Sequence, residues 1–435
     1  MQKTPNSTRM RVNVRDSFWF LPMIYGIFSI ISVILMTIAD FYLLPLIQDF
    51  VPNIVLTNQD IASSLYSALI TAILTMTTIS FSTIMVVLTT YTTQFSPRTL
   101  QDFMKNRFTQ HVLGVYSFGF IFALLNLLLL TEDKKKLMAS PFFTVVVSIF
   151  CLAFFILFIH HSSRFVQVNN LISEIRDRTS GLIRKTYQDK SYKQSGEWSE
   201  DALHSIRAGE PFFINSKVTG YIQYIQIGPL IKWAKREDAV IEATFQIGDY
   251  IQEGMPLFKL WSRHEVDNDQ KCTEYLLIGN ERVDSQDLEF SIEKLVEISV
   301  KAISPSINDP HTAINCINRI GSLLSELGRE FKPYRYFIDA DDELRLIMEP
   351  RHFEEYLYKS FYQIRIYGSH DISVMNGVLE ALYKVALVNG NAVKEDVWRF
   401  TEYMQKAIEI DENELDYAYY SKQVDKVKQA CSMNS

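Results

Sequence analysis

Residues 60–96, DIASSLYSALITAILTMTTISFSTIMVVLTTYTTQFS, decide the predicted fold. The stretch is largely apolar, but hydroxyl side chains recur along it at the spacing of an α-helix, about 100° per residue. At about 1.5 Å per residue it spans about 55 Å, more than the ~30 Å hydrocarbon core of a bilayer. The sequence therefore predicts a membrane helix that continues into water at one end.

The hydroxyl side chains fall on one face of this helix, within a sector of about 80° at the helical period. Asp60 begins the face, Met85 and Val86 form its one apolar turn, and Ser96 ends it. We call this face the hydroxyl stripe. The stripe residues that we predict to line a pore are Asp60, Ser64, Ser67, Thr71, Thr75, Thr78, Ser82, Met85, Val86, Thr89 and Thr93.

Four apolar segments near the N-terminus are long enough to cross a bilayer. They lie at about residues 18–38, 61–93, 112–130 and 142–160. The predicted fold class is an α-helical membrane protein with four transmembrane helices and a cytoplasmic α+β region, which contains a small β barrel and a helical C-terminal part. The predicted divisions are a transmembrane domain at 1–163, a helical extension and linker at 164–211, a β-barrel domain at 212–280 and a mainly α-helical domain at 281–435.

The distribution of basic residues predicts the orientation, because cytoplasmic loops are enriched in Lys and Arg. Residues 40–60 contain no Lys or Arg, and Lys134, Lys135 and Lys136 lie in a predicted outer turn, against the rule. The other basic residues outweigh them, so both termini are predicted to be cytoplasmic. Those residues are Lys3, Arg9, Arg11 and Arg15 before the first span, and Arg98, Lys105 and Arg107 after the second.

Charge and cysteine content exclude several classes of function. Residues 1–163 carry ten basic and seven acidic side chains, whereas residues 164–435 carry 33 basic and 43 acidic ones. An acidic C-terminal region argues against nucleic acid as a partner, because phosphate binding depends on clustered Lys and Arg. The cysteines have no CxxC spacing, so we predict neither a metal site nor a disulfide framework. They are Cys151, Cys272, Cys316 and Cys431.

The region from residue 212 to 280 alternates apolar and polar residues between glycines, a pattern typical of short strands and tight turns. Within it, Gly248 to Leu260, GDYIQEGMPLFKL, resembles the hairpin half of biotinyl and lipoyl carrier domains. Carriers need an acceptor lysine on the exposed tip that follows, but the next residues here, WSRHEVDND, contain none. We therefore predict a structural or ligand-free barrel and no bound cofactor.

The C-terminal region has the pattern of a helical domain. One helix ends near SPSINDP at residues 304–310, and Asp309 and Pro310 open the next as N-cap and first-turn proline. A hairpin is predicted with its turn at 340–342, followed by helices at about 352–367, 371–388, 392–409 and 412–430. Asp309 and His311 could form an acid–base pair, but the sequence places no nucleophile or phosphate loop beside them. We predict a capping role for Asp309, no catalytic residues and no enzymatic activity.

Three motifs accompany the four spans: QFSPR at residues 94–98, the GD…G.PL hairpin, and SPSINDP…TA at residues 304–313. Together they resemble the bacterial predicted-membrane-protein family labelled domain of unknown function 2254. The resemblance covers nearly the whole chain. It implies a multi-pass protein of the bacterial cytoplasmic membrane, and it supplies no catalytic residue and no substrate.

The hydroxyl stripe has two interpretations. Ser and Thr can hydrogen-bond to the carbonyl four residues earlier, and small residues allow close helix packing, so the stripe could be a packing face. Its length and continuity favour an aqueous path instead. Thr57 and Asp60 also have the spacing of a capping box. In a symmetric oligomer, Asp60 would form an acidic ring that favours cations, and Met85 and Val86 would form an apolar gate.

We therefore predict a homo-oligomeric ion channel whose second span lines the pore, with the lipid bilayer and inorganic cations as its partners. The alternative is a non-conducting membrane scaffold or sensor, in which the stripe packs against protein and the cytoplasmic region binds a protein partner. A stripe buried against the third and fourth spans of its own subunit would contradict the channel hypothesis.

Overall fold

The computed structural model describes residues 19–47, 50–52, 54–94, 107–130, 137–165, 167–188, 192–262, 264, 269–406 and 415–432. The chain divides into two compact units, Met1–Val168 and Asn169–Ser435. Most basic residues used to predict the orientation lie outside the described residues, as does Ser96.

The described residues of the first unit contain four helices that are long and apolar enough to cross a membrane, as predicted. A π-helical turn, Ala39–Leu43, and a short helix, Leu44–Ile47, continue the first of them. The four helices are α1 (Phe20–Ile38), α2 (Gln59–Gln94), α3 (Arg107–Leu128) and α4 (Ser140–Phe165).

Helix α3 is the central element of this unit, because it packs against α1, α2 and α4. Close backbone approach makes this packing possible. The side-chain hydroxyl of Ser29 on α1 donates to the carbonyl of Phe118 at 2.9 Å. A Cβ atom at Gly119 would lie 2.7 Å from the sulfur of Cys151 on α4. Small residues at such contacts are typical of membrane helices, where van der Waals packing drives association.

A buried carboxylate ties the end of the first span to the start of the fourth. Asp40 lies in the π-helical turn and accepts hydrogen bonds from the backbone N–H groups of Ala139 at 3.0 Å and Ser140 at 3.2 Å. These groups are unpaired donors at a helix N-terminus, where a negative charge is favourable. Asp40, distant in sequence, thus caps α4. Beside it, Tyr66 donates to the hydroxyl of Ser140 at 3.0 Å.

The described residues of the second unit contain nine strands in two sheets. The first sheet has the order β1-β8-β9-β4-β6-β2, and the second has the order β5-β3-β7. The strands are β1 (Lys193–Ser195), β2 (Phe212–Asn215), β3 (Gly220–Ile225), β4 (Ala239–Ala243), β5 (Tyr250–Ile251), β6 (Pro256–Ser262), β7 (Leu276–Gly279), β8 (Tyr336–Ile338) and β9 (Leu344–Ile347).

The predicted small β barrel at residues 212–280 is not supported, because the described strands form two open sheets. Strands β2, β4 and β6 do not close on themselves. Instead, β4 pairs in parallel with β9, from outside the predicted barrel, and β1 pairs with β8 at the far edge. The sequence pattern of 212–280 shows strands and turns but not their partners, so it could not reveal these pairings.

Nine α-helices accompany these sheets in the described part of the second unit. The predicted hairpin is confirmed as β8 and β9, with Asp342 at φ 63° in its turn. Residues predicted as linker contain β1 and α6. The helices are α5 (Val168–Tyr187), α6 (Glu200–Arg207), α7 (Ile227–Arg236), α8 (Leu288–Ala302), α9 (Pro310–Glu330), α10 (Phe353–Gly368), α11 (Ile372–Leu387), α12 (Asn391–Gln405) and α13 (Leu415–Cys431).

An ion-pair cluster joins the sheets to the helices of this unit. Arg282 binds both carboxylate oxygens of Asp287, at 2.8 and 2.9 Å, and also lies 3.0 Å from Glu293. Glu289 accepts from Arg282 and lies 2.8 Å from Arg351. Burial alone would lower the pKa of Arg282, but the hydrogen bond and charge of Asp287 raise it above its ordinary value. The guanidinium therefore stays charged, and the buried acids stay paired.

The ion-pair cluster requires glycine at residue 248, in the Gly-Asp turn. Gly248 adopts φ 92°, and a Cβ atom there would lie 2.3 Å from a carboxylate oxygen of Asp287 and 2.9 Å from Arg282. Gly254, in the same hairpin, adopts φ 88° but has open space around it. The motif that resembles a carrier hairpin is thus a turn that packs against the ion-pair cluster.

We predict that Gly248→Ala destabilises the second unit by at least about 3 kcal/mol, because the methyl group separates the buried Arg282–Asp287 pair. The matched control, Gly254→Ala, should cost about 1 kcal/mol, the penalty of the left-handed conformation alone. Tryptophan fluorescence during urea unfolding of the full chain measures both, since four of the five tryptophans lie in this unit. Equal losses in the two variants would contradict the proposed role of the cluster.

Candidate functional site

Helix α2 begins at a cap that differs from the predicted one. The N–H of Ile61 donates to the side-chain oxygen of Asn58 at 3.1 Å, so Asn58 is the capping residue. Thr57 instead forms a backbone bridge with Met138, with both N–H···O distances at 3.0 Å. The predicted Thr57–Asp60 capping box is therefore wrong, because Thr57 is held in an extended pairing before the helix starts.

Each of the eleven predicted pore-lining residues is exposed in the single chain. The apolar turn of the stripe is exposed as well, with Met85 at 62% and Val86 at 63%. The opposite face of α2 packs against α3 and α4. The side chains buried on that packing face are Ala62, Tyr66, Ile73, Ser80, Ile84 and Val87. The stripe is thus not buried against the third and fourth spans of its own subunit.

Six of the eight hydroxyl groups in the described part of the stripe bond to their own helix. Thr71 donates to the carbonyl of Ser67 at 2.9 Å, and Thr75 donates to that of Thr71 at 2.8 Å. The same bond, to the carbonyl four residues earlier, is made by Ser64, Thr78, Thr89 and Thr93. These bonds satisfy the hydroxyl donor and leave the oxygen able to accept from groups outside the helix.

Asp309 has the capping role that we predicted. It accepts from the backbone N–H of Thr312 at 3.0 Å and from the Thr312 hydroxyl at 2.6 Å. These hydrogen bonds lower its pKa below the ordinary carboxyl value. The described residues contain no group of three or more His, Cys, Asp or Glu that could hold a metal ion.

A second candidate site lies within the second unit and was not predicted. Two adjoining cavities, of about 230 and 900 Å³, share the lining residues Tyr192, Tyr224, Ile225, Ile227 and Gln286. We call them together the tyrosine–lysine cavity. Further aromatic rings and lysines complete its walls. They include Lys185, Tyr187, Lys232, Lys332, Tyr334, Phe337 and Tyr356.

A sequence signal for this cavity exists but is weak. Lys185-Thr186-Tyr187 and Lys332-Pro333-Tyr334 each place a lysine two residues before a tyrosine, and both tripeptides line the cavity in part. Nothing in the sequence alone shows that these two distant tripeptides meet.

Burial raises the pKa of Tyr187 to about 12, so its hydroxyl remains protonated at neutral pH.

Comparisons with known proteins agree with the resemblance described above. The family described as "Predicted membrane protein (DUF2254)" matches residues 15–384. Uncharacterized proteins of Mycobacterium tuberculosis and Mycobacterium bovis are 27% identical to the chain over 321 residues, or 71% of its length. The chain covers 60% of the length of these relatives. No solved structure matches the chain.

Proposed function

The chain belongs to the DUF2254 family of predicted membrane proteins, and we propose that it forms a homo-oligomeric ion channel lined by α2. The channel would lie in the bacterial cytoplasmic membrane with both termini in the cytoplasm. The proposed function is non-enzymatic. The outward position of the hydroxyl stripe, opposite the face that packs against α3 and α4, carries this proposal.

The position of the stripe favours an oligomer because a single copy offers no enclosed path along it. One side of α2 packs against α3 and α4, whereas the stripe residues on the other side are exposed. Identical subunits arranged around an axis would bring their stripes together, since closed rotational symmetry repeats one surface around a common centre. A water-filled path then forms between subunits and not within one.

The chemistry of the stripe favours cations. Because Thr71, Thr75 and their equivalents donate to the backbone of α2, their oxygen atoms are left as acceptors on the exposed side. Oxygen lone pairs can replace part of the hydration shell of a cation. Asp60, which is exposed at the first turn of the same face, would add negative charge at one mouth.

A lipid-facing stripe is the competing arrangement. The same internal hydrogen bonds lower the cost of placing Ser and Thr against hydrocarbon, where an unsatisfied hydroxyl would cost about 2–7 kcal/mol. Apolar side chains also flank the stripe, including Leu74 at 52% and Ile79 at 44% exposed. This arrangement suits the alternative function, a non-conducting scaffold or sensor whose second unit binds a protein. Contact of the stripe with water distinguishes a pore-lining stripe from a lipid-facing one.

We predict that a cysteine at Thr78 reacts with a charged, membrane-impermeant methanethiosulfonate in membrane vesicles, because water lines the stripe. The matched control is Ile79→Cys, which is also exposed in the single chain but lies about 100° away around the helix. The four native cysteines are buried, so the unmodified protein gives the background. No reaction at residue 78, or equal reaction at both positions, would contradict a water-lined stripe.

We predict cation flux from liposomes that contain the purified protein, with a larger leak in Val86→Ser, because a hydroxyl favours wetting of the apolar turn. Asp60→Asn should reduce the preference for potassium over chloride, because it removes negative charge at one mouth. Ile79→Ser makes a comparable polar change away from the stripe and should leave the flux unchanged. An absence of flux in every form would favour the scaffold.

A further inference from the structure

The tyrosine–lysine cavity has the size and composition of a small-molecule site. Its two parts measure about 230 and 900 Å³, and ligand sites usually measure about 300–1,000 Å³. It lies wholly within the second unit, at the meeting of the end of α5, the β3–α7 junction and the strand pair β8–β9. Such a site, with an aromatic wall and a few convergent polar groups, is a default position for ligand binding.

The charges around the cavity leave it positive. The carboxylates of its lining are neutralised by arginines: Asp287 by Arg282, and Glu289 by Arg282 and Arg351. Glu349 pairs with Arg335, and Asp339 pairs with Arg345. The lysines differ. Among the described residues, no carboxylate pairs with Lys185, Lys232 or Lys332. Lys332 instead lies over the ring of Tyr334, with its Nζ 5.9 Å from the ring centroid. Cations without a carboxylate partner at a cavity wall favour an anionic ligand.

The aromatic and amide groups of the lining indicate which chemical group is attached to the anion. Tyr192 and Phe337 form a ring pair with centroids 5.7 Å apart, and half-buried Tyr224 and Tyr334 also line the cavity. Flat rings of this kind stack on nucleobases. Gln194 and Gln246 also line the cavity, and a side-chain amide can both donate to and accept from the edge of a base.

We propose that the tyrosine–lysine cavity binds a nucleoside phosphate. The base lies among the aromatic rings near Tyr224 and Tyr334, and the phosphates lie at Lys185 and Lys332. The proposal concerns binding in the second unit and does not depend on ion conduction by the first.

The test measures equilibrium binding to the full chain in lipid nanodiscs, with ATP, GTP, CTP and UTP as probes. At least one nucleotide is expected to bind, and its nucleoside and inorganic triphosphate should each bind at least about tenfold more weakly. This comparison distinguishes a site that recognises both base and phosphate from one that attracts anions by charge alone. Binding of none of the four, or equal binding of triphosphate alone, would overturn the proposal.

Substitutions locate the site. The double variant Lys185→Gln/Lys332→Gln should weaken nucleotide binding at least about tenfold, whereas Lys217→Gln, on an exposed residue outside the cavity, should not. Tyr334→Leu should weaken binding of the nucleotide by about fivefold or more, as expected for lost stacking, and leave triphosphate binding unchanged. Unchanged unfolding temperatures confirm that the variants fold. Full nucleotide affinity in the folded double variant would overturn the assignment.

Discussion

The hydrogen bonds between stripe hydroxyls and the backbone of α2 are the constraint on which the membrane unit depends. Without them, a polar face more than 30 Å long could not lie on the outside of a four-helix unit in hydrocarbon. With them, the hydroxyl donors of six stripe residues are satisfied inside the helix, and their oxygen atoms remain available as acceptors. The six are Ser64, Thr71, Thr75, Thr78, Thr89 and Thr93. The bonded hydroxyls are therefore compatible with hydrocarbon and can also accept hydrogen bonds from water. We regard this compatibility with both lipid and water as the physical basis of the proposed channel.

Helix α3 gives the stripe its outward direction. It packs against the three other spans, and a larger part of it is buried than of any other span. Because α2 uses the side that carries Tyr66, Ile73 and Ile84 to contact α3 and α4, its hydroxyl side faces away from them. The Asp40 cap on α4 and the Thr57–Met138 bridge hold the connections at one end of this unit. The arrangement leaves the stripe exposed on the outside of the unit.

The sequence predicted those features that depend on local periodicity. The four spans, the stripe and the capping role of Asp309 follow from spacing along one helix, and each helix carries its own signal. Features that join distant segments were missed. The cap on α4 comes from Asp40, β4 pairs with β9, and the tyrosine–lysine cavity joins the Lys185 and Lys332 regions. Alternation indicates that a strand exists but does not identify its neighbour. The strands of residues 212–280, which belong to two open sheets, were therefore predicted as a barrel.

Electron cryo-microscopy of the full chain in lipid nanodiscs tests the central claim most directly, because it shows both the number of subunits and the direction of each stripe. The account predicts a ring of identical subunits in which Thr71, Thr75 and Thr78 of every copy face open space on a common axis. A single subunit, or an oligomer whose stripes face lipid or a neighbouring helix, would contradict it.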